Sequence, residues 1–373
     1  MSAHRISEFA VHLVSIPARE THSHGSGDVS RINSVLLQLT TDTGLTGWGE
    51  ASPWPVFTGT AEASAAALHI HIRPHVIGAD PVQVEPAMNR IECILRGHPE
   101  AKCAVETALL DLAGQIAGLS IAEMVGGRQR ETVPLSFSVA NRDFARDRHL
   151  IESLWEDGVR LYKLKAGFDQ HHFDLMRLES LRKLYGDEID LRVDYNQGLP
   201  AYDAIRRIRD LEQFRPTFVE QPVKREEWAA LAEITRAVDT PIMADESVFN
   251  PEEAFRAATD RIADIFSLKI NKAGGIRRCL EVAAIAKSAG IEVYGGCMFE
   301  TSIAHAAGAH LMAALPAIDL GCEFYMSSYY AEIDLADFAF PAKGGFVHVP
   351  GAPGLGIRPD PDKLAFHRSD LLT

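Results

Sequence analysis

The chain is poor in the features that mark several protein classes. It has five cysteines in 373 residues. They are odd in number, widely spaced (Cys93, Cys103, Cys279, Cys297, Cys322) and form no CxxC pair, so buried thiols are expected rather than disulfides or metal ligation. No stretch approaches the roughly 18 continuous apolar residues of a membrane span, which predicts no membrane association. The first sixteen residues lack a basic region, an apolar stretch and a small-residue cleavage site, so a cytoplasmic protein is expected. Basic charge is also scarce: 37 Lys and Arg face 51 Asp and Glu, a formal net charge of −14. That balance argues against a nucleic-acid surface. There is no Walker loop, no GxGxxG after the first strand, no GxSxG elbow and no HExxH pair. His305 and His310 share no helix face, and His171-His172 sits in a polar turn.

What the chain does have is a core and a rhythm. Apolar residues make up 46% of it, enough for a barrel and one further domain. Residues 1–130 read as an α+β domain. A β-rich meander (5–16, SVLLQL at 34–39, GWGE at 47–50) precedes a helical segment with Ala101, Val105, Leu109, Leu112 and Ile116 on one stripe. From 131 to 330 apolar runs starting near Pro134, Leu161, Leu191, Phe218, Ile242, Ile265, Val293 and Leu320 alternate with helical stretches. Eight strands and seven helical connections predict an α/β fold, a (β/α)8-type barrel of the modified β/α7β kind, with an N-terminal α+β cap. An open doubly wound sheet is the alternative, but it would gather its ligands at one switch point. Residues 331–373, rich in Pro and Gly, are expected to pack back on the cap.

Five charges close consecutive predicted strands: Lys165, Asp194, Glu220, Asp245 and Lys269, at intervals of 29, 26, 25 and 24 residues. A charge at a buried strand end is costly unless paired or bound to metal. Three oxygen ligands without Cys or His suit Mg²⁺ or Mn²⁺, one divalent ion per subunit, better than zinc. Lys163 and Lys165 lie two apart on a strand and share a face. Two neighbouring cations should lower at least one pKa toward that of a general base. Lys269, four strands further round, faces them from the opposite side. Metal and opposed lysines suit proton abstraction α to a carboxylate, with the ion stabilising the enolate. The implied partner is a small-molecule carboxylate substrate.

The stretches KLK (163–165), VDYNQG (193–198), VEQPV (219–223), ADES (244–247), LKINKAGG (268–275), GGCMFETSI (295–303), PGLG (353–356) and GWGEASP (47–53) together resemble the enolase superfamily, specifically its muconate lactonizing enzyme (muconate cycloisomerase) subgroup, over essentially the whole chain. The resemblance implies that Asp194, Glu220 and Asp245 hold the metal and that Lys165 and Lys269 are the acid/base pair. Lys163 then orients the substrate carboxylate and depresses the pKa of Lys165. Lys269 stands where the mandelate racemase subgroup uses a His-Asp dyad. Glu300 matches a glutamate of muconate cycloisomerases and is taken as a substrate contact. The loops at 17–25 and 52–58 correspond to those closing over substrate, with Trp54 and Phe57 as an apolar wall and Arg19 or His22 for a second anionic group. Asn196, Met298 and Tyr325 complete the candidate substrate contacts. Muconate-type cycloisomerisation is the leading expectation. Racemisation or epimerisation of N-substituted amino acids and acid dehydration remain open on the same site. The family resemblance also implies a homo-oligomer.

Overall fold

The computed structural model describes residues 4–24, 27–337 and 342–370. It is an α/β structure with a parallel half-barrel sheet and a separate N-terminal antiparallel sheet. The N-terminal sheet comprises β1 (Ile6–His24), β2 (Gly27–Thr41) and β3 (Thr46–Ala51) in that spatial order. Its β1–β2 ribbon runs past the segment expected to be a loop: residues 17–24 are strand, with a register irregularity between Pro17 and His22. Gly25, the last residue of that expected loop, lies outside the described residues.

The helix Pro99–Ala117 lies across β3 and is buried along most of its length. The approach needs glycine. A Cβ at Gly49 would lie 1.9 Å from the Ala104 carbonyl oxygen, and one at Gly47 2.5 Å from that of Ala108. The two glycines of the GWG sequence are therefore a packing requirement within β3.

After β4 (Thr132–Pro134) come seven parallel strands: β5 (Ser136–Val139), β6 (Leu161–Lys165), β7 (Asp190–Asp194), β8 (Val219–Glu220), β9 (Ile242–Ala244), β10 (Ile265–Leu268) and β11 (Glu292–Gly295). They are ordered as in the chain. Helices between them bury one stripe each; in Ala201–Glu212 it is Ala204, Ile208 and Leu211. The run near Leu320, expected to be an eighth strand, is not one. Cys322 alone forms parallel bridges, to Leu135 on one side and Gly295 on the other. Gly321 supplies the positive φ (+77°) that turns the chain there, and a Cβ at this position would lie 2.4 Å from the Pro134 carbonyl oxygen.

The C-terminal segment adds β12 (Ala342–Lys343) and β13 (Phe346–His348), the latter antiparallel to β4. It then returns to the N-terminal region. Ser369 N–H donates to the Leu13 carbonyl (2.9 Å), and Leu355 N–H to Asp111 Oδ1 (2.9 Å). Residues 338–341 and 371–373 of that segment lie outside the described residues. Among the described residues no helix is long and apolar enough to cross a membrane. All five cysteines are free; four are buried as expected, and Cys93 is exposed.

Candidate active site

Strand register assembles the charged residues. Lys165 pairs with Asp194 across β6–β7, and Asp194 pairs with Glu220 across β7–β8. In-register neighbours on a parallel sheet share a face, so these three side chains meet. Asp245 follows β9 and Lys269 follows β10 at the same strand ends.

The backbone beyond these strands is strained. Asn196, Gln197 and Gln221 have φ of 42°, 69° and 34°, and strain of this kind collects where the surroundings over-determine a conformation. Gln221 shows what holds it. Its Oε1 accepts from the backbone N–H of Asp245 (3.0 Å) and Ser247 (3.1 Å), while its Nε2 donates to the Val223 carbonyl (2.9 Å) and Ser247 Oγ (2.8 Å). A glutamine here locks the strand end carrying Glu220 to the one carrying Asp245.

The buried charges form a continuous chain of pairs. Lys165 Nζ donates to Asp194 Oδ2 (2.6 Å) and Asn196 Oδ1 (3.0 Å). Lys163 Nζ donates to Glu220 Oε2 and pairs with Glu323 Oε1, with Asp194 Oδ2 at 3.5 Å. At the far end Lys269 Nζ donates to Asp245 Oδ2 (2.6 Å). Burial alone would raise the Asp194 carboxyl, but Lys165 and Lys163 outweigh it and hold it below the usual range. Asp245 is likewise depressed against its burial by Lys269 and Lys272. Glu220 goes the other way: burial and then the charge of Asp194 push it well up.

The buried lysines differ in what governs them. Burial would lower Lys163, but Glu220 and Glu323 surround it and raise its pKa instead. Carboxylates govern this ammonium, and its neighbouring lysine does not. The lysine that burial does push down is Lys272, which no expectation included. It donates to Asp245 Oδ1 (2.8 Å) and to the Asp245 carbonyl (2.7 Å).

Three more residues at the site escaped the strand-end pattern. Glu323 directly follows the Cys322 bridge, and it is this carboxylate, not Glu300, that meets Lys163. Its Oε1 also accepts from the Tyr294 hydroxyl (2.7 Å). Glu246 is buried beside Asn196, whose Nδ2 lies 3.4 Å from Glu246 Oε1; burial, then Asp245, pushes its carboxyl up to about 8. Asn271 joins the two halves of the molecule. Its Oδ1 accepts from the Ser52 N–H (3.0 Å), and its Nδ2 donates to Glu300 Oε1 (2.9 Å). Glu300 thus lies one residue removed from the lysine ladder, with its carboxyl raised to about 7 by burial and by Glu50. Glu50 itself reaches from β3 to the helix Ser302–Ala314. It accepts from Thr301 N–H (2.9 Å), Thr301 Oγ1 (2.6 Å) and Ala304 N–H (2.9 Å), which places an anion at a helix N-terminus.

Aromatic rings from the cap cover the far end. Phe57 stacks on Phe249 at 5.2 Å and on Trp54 at 6.1 Å, and Lys269 Nζ lies 4.8 Å from the Phe57 centroid. Trp54 and His22 both meet Phe299 edge-on, at 5.4 and 5.7 Å. Arg19, His22 and Tyr325 line a side cavity of about 710 Å³ with Ser138 and Arg146. The Arg19 Nε donates to the Ala331 carbonyl (3.0 Å), and Tyr325 packs its ring 4.3 Å from Phe137. Met298 is buried.

Asp194, Glu220 and Asp245 fit a hard divalent ion. They offer only oxygen, all three are buried, and Glu220 Oε1 has no hydrogen-bond partner among the described residues. An α/β half-barrel with an oxygen-only carboxylate triad between opposed lysines defines a class of metal-assisted carbon-acid enzymes.

Comparison with known proteins makes the assignment specific. Residues 146–363 match the family model for the enolase C-terminal domain-like fold, and residues 8–126 that for the mandelate racemase / muconate lactonizing enzyme N-terminal domain. The L-Ala-D/L-Glu epimerase of Bacillus subtilis (strain 168) is 33% identical over 92% of this chain and 94% of its own. The crystal structure of muconate lactonizing enzyme from Pseudomonas fluorescens, complexed with muconolactone, superposes with a TM-score of 0.95 at 32% identity, covering 98% of this chain and 100% of that one. A muconate cycloisomerase structure from Azorhizobium caulinodans gives 0.87 at 40% identity, with 99% of each chain covered. The chain belongs to the mandelate racemase/muconate lactonizing enzyme family of the enolase superfamily, in its muconate lactonizing enzyme subgroup. Its relatives are cycloisomerases, epimerases and racemases, and the superfamily is divalent-metal dependent.

Proposed function

We propose that this protein is a muconate-type cycloisomerase, interconverting a conjugated dicarboxylate and its lactone. The observation that carries the reading is the placement of Lys165 and Lys269 at opposite ends of one carboxylate arc, 2.6 Å from Asp194 and from Asp245. Full-length likeness to two muconate enzymes supports the substrate class. In this reading Asp194, Glu220 and Asp245 hold one Mg²⁺ (or Mn²⁺) per subunit. The ion supplies positive charge where the substrate's carboxylate becomes enolate-like.

The protein's own groups do the rest. Lys165 moves the proton at the carbon α to that carboxylate. Lys269, under Phe57, contributes positive charge from the opposite face. Lys163, held between Glu220 and Glu323, orients the carboxylate. Trp54, Phe57 and Phe299 exclude water and suit a flat conjugated chain. Arg19 and His22, on the side cavity with Tyr325, take the distal carboxylate, while Asn196 and Met298 border the substrate. Cys322 closes the sheet into a barrel, with residues 1–130 as cap, 131–330 as barrel and 331–373 as the returning segment. The protein works as a homo-oligomer in the cytoplasm.

The test is to incubate the Mg²⁺-loaded protein with cis,cis-muconate and follow loss of the diene absorbance. Turnover abolished by a chelator and restored by Mg²⁺ or Mn²⁺ is expected. A second reading, epimerisation of N-substituted amino acids, is favoured by the likeness to the Bacillus subtilis epimerase and by having a lysine on each face. No loss of muconate, with deuterium entering the α-carbon of a dipeptide in D₂O, would replace the first reading by the second.

A further inference from the structure

We propose that Cys297, Glu300 and His305 form a second divalent-cation site, separate from the carboxylate triad and selective for soft, zinc-like ions. One donor atom from each of the three lies within 4.8 Å of those of the other two, and all three residues are buried. Cys297 and Glu300 belong to the turn after β11, and His305 to the first turns of the helix Ser302–Ala314.

Each side chain is aimed by a partner of its own. Asn271 Nδ2 donates to Glu300 Oε1 (2.9 Å), and His305 Nδ1 lies 2.9 Å from Ser327 Oγ. Cys297 Sγ lies 3.2 Å from the Glu323 carbonyl oxygen. These contacts leave Glu300 Oε2 and His305 Nε2 facing each other at 3.8 Å. That is too long for a direct hydrogen bond. It is close to the spacing of about 3.4 Å between nitrogen and oxygen ligands on a tetrahedral zinc. Anchoring the other ring nitrogen of a ligating histidine, and the other oxygen of a ligating carboxylate, is how metal sites orient their ligands. Burial also keeps the imidazole neutral, pushing His305 down to about 3.

The donor set decides the ion. Sulfur, nitrogen and oxygen suit Zn²⁺ or Co²⁺, whereas Mg²⁺ prefers the oxygen-only triad. Three protein ligands leave a fourth position open. Binding forms bonds from the metal to Cys297 sulfur, Glu300 oxygen and His305 nitrogen; the Cys297 S–H bond and, where Glu300 is protonated, its O–H bond break, and those protons leave to solvent.

The experiment uses Cys93→Ser protein, which removes the exposed thiol, with the carboxylate triad already filled by excess Mg²⁺. Co²⁺ is the probe. One thiolate-to-cobalt charge-transfer band, saturating at one ion per chain with release of about one to two protons from Cys297 and Glu300, is expected. Cys297→Ser should remove the band, and His305→Ala should weaken Co²⁺ binding at least tenfold. Absence of the band in the Cys93→Ser protein would overturn the proposal, as would an unchanged band in Cys297→Ser. Should Cys297→Ser fail to fold, Glu300→Gln and His305→Ala carry the same test: Co²⁺ affinity unchanged in both overturns the site. The readout is metal binding itself, so its outcome is independent of the reaction proposed above.

Discussion

The barrel side and the cap side of the site are built from different physics. On the barrel side the charged groups are held mainly by buried partners of opposite sign, such as Lys165 with Asp194 and Lys269 with Asp245. Removing one member of such a pair strands the other in low dielectric, so the arrangement is intolerant of change. On the cap side Trp54, Phe57 and Phe299 touch through rings, with Trp54 and Phe57 only partly buried. Ring contacts are graded and can open and re-form. The difference separates a half held by paired buried charges from a half held by ring packing. Among the contacts that join them are Asn271 to Ser52, Glu50 to Thr301 and Glu106 to Arg277.

The largest expected effect lies on the barrel side. Lys165→Ala should lower turnover by about 10³-fold or more, the size of a lost general acid/base. In the Mg²⁺-loaded protein circular dichroism and metal affinity should stay near wild type, because a bound ion would partner the Asp194 carboxylate that loses Lys165. Near-normal turnover in this variant would take Lys165 out of the mechanism and leave the barrel side a purely structural charge network.

Next comes the seam. Asn271→Ala leaves the Ser52 N–H and Glu300 Oε1 without their partner. Stability should fall by about 1–3 kcal/mol. Because Ser52 begins the second cap segment, KM should rise more than kcat falls. Chemical denaturation and steady-state kinetics read both, and equal losses in kcat and kcat/KM would place Asn271 on the chemical side of the divide. Smaller again is Trp54→Ala, which removes one aromatic neighbour from each of Phe57 and Phe299. An aromatic pair is worth about 0.5–1.5 kcal/mol, so kcat/KM should drop roughly 3–10-fold, carried by KM. A variant with kcat reduced at constant KM would show that the lid takes part in the chemistry.

The two halves also differed in how far they could be read in advance. The barrel's charges were legible because a parallel strand and its helix take a nearly constant length, so strand-end residues recur in phase. Glu323 obeys the same logic, closing the apolar run at Leu320. It is hidden in the sequence because Glu300 closes the apolar run before it, and spacing does not show which of the two carboxylates meets Lys163. Lys272 and Glu246 escaped because they lie three residues and one residue beyond a strand-end charge, off the spacing altogether. The cap was harder. Residues 17–24 have loop-like composition, yet they are extended, with Pro17 and residues 22–24 paired to β2 on either side of an irregularity. Nothing in sequence spacing shows that Phe57 will lie over Lys269, a contact that exists only once the two halves dock.

The last prediction tests the seam through pH. Glu106, on the helix Pro99–Ala117, accepts from the Arg277 N–H (3.2 Å) and packs against Gly275, where a Cβ would lie 1.5 Å from its Oε2. Burial pushes this carboxyl up to about 7, with Arg277 opposing. A raised carboxyl binds its proton more tightly in the folded than in the unfolded chain. Its contribution to stability is therefore complete below the ordinary value of 4.5 and is lost as pH rises through about 7. Glu106→Gln keeps a neutral group at every pH, so the variant lacks this loss. Asp111 and Asp147, raised by burial to about 6 and about 7, shift in the same direction but are present in both proteins and cancel. Asp194 and Asp245 are depressed, so they act at lower pH and outside the window. Thermal melts at pH 5, 6, 7 and 8 should show the wild type losing more than the variant, with the gap opening by at least roughly 2 °C. Parallel melting curves would mean that Glu106 is already ionised in the seam and that Arg277 neutralises it, making this contact an ion pair of the barrel type and not a neutral hinge between unlike halves.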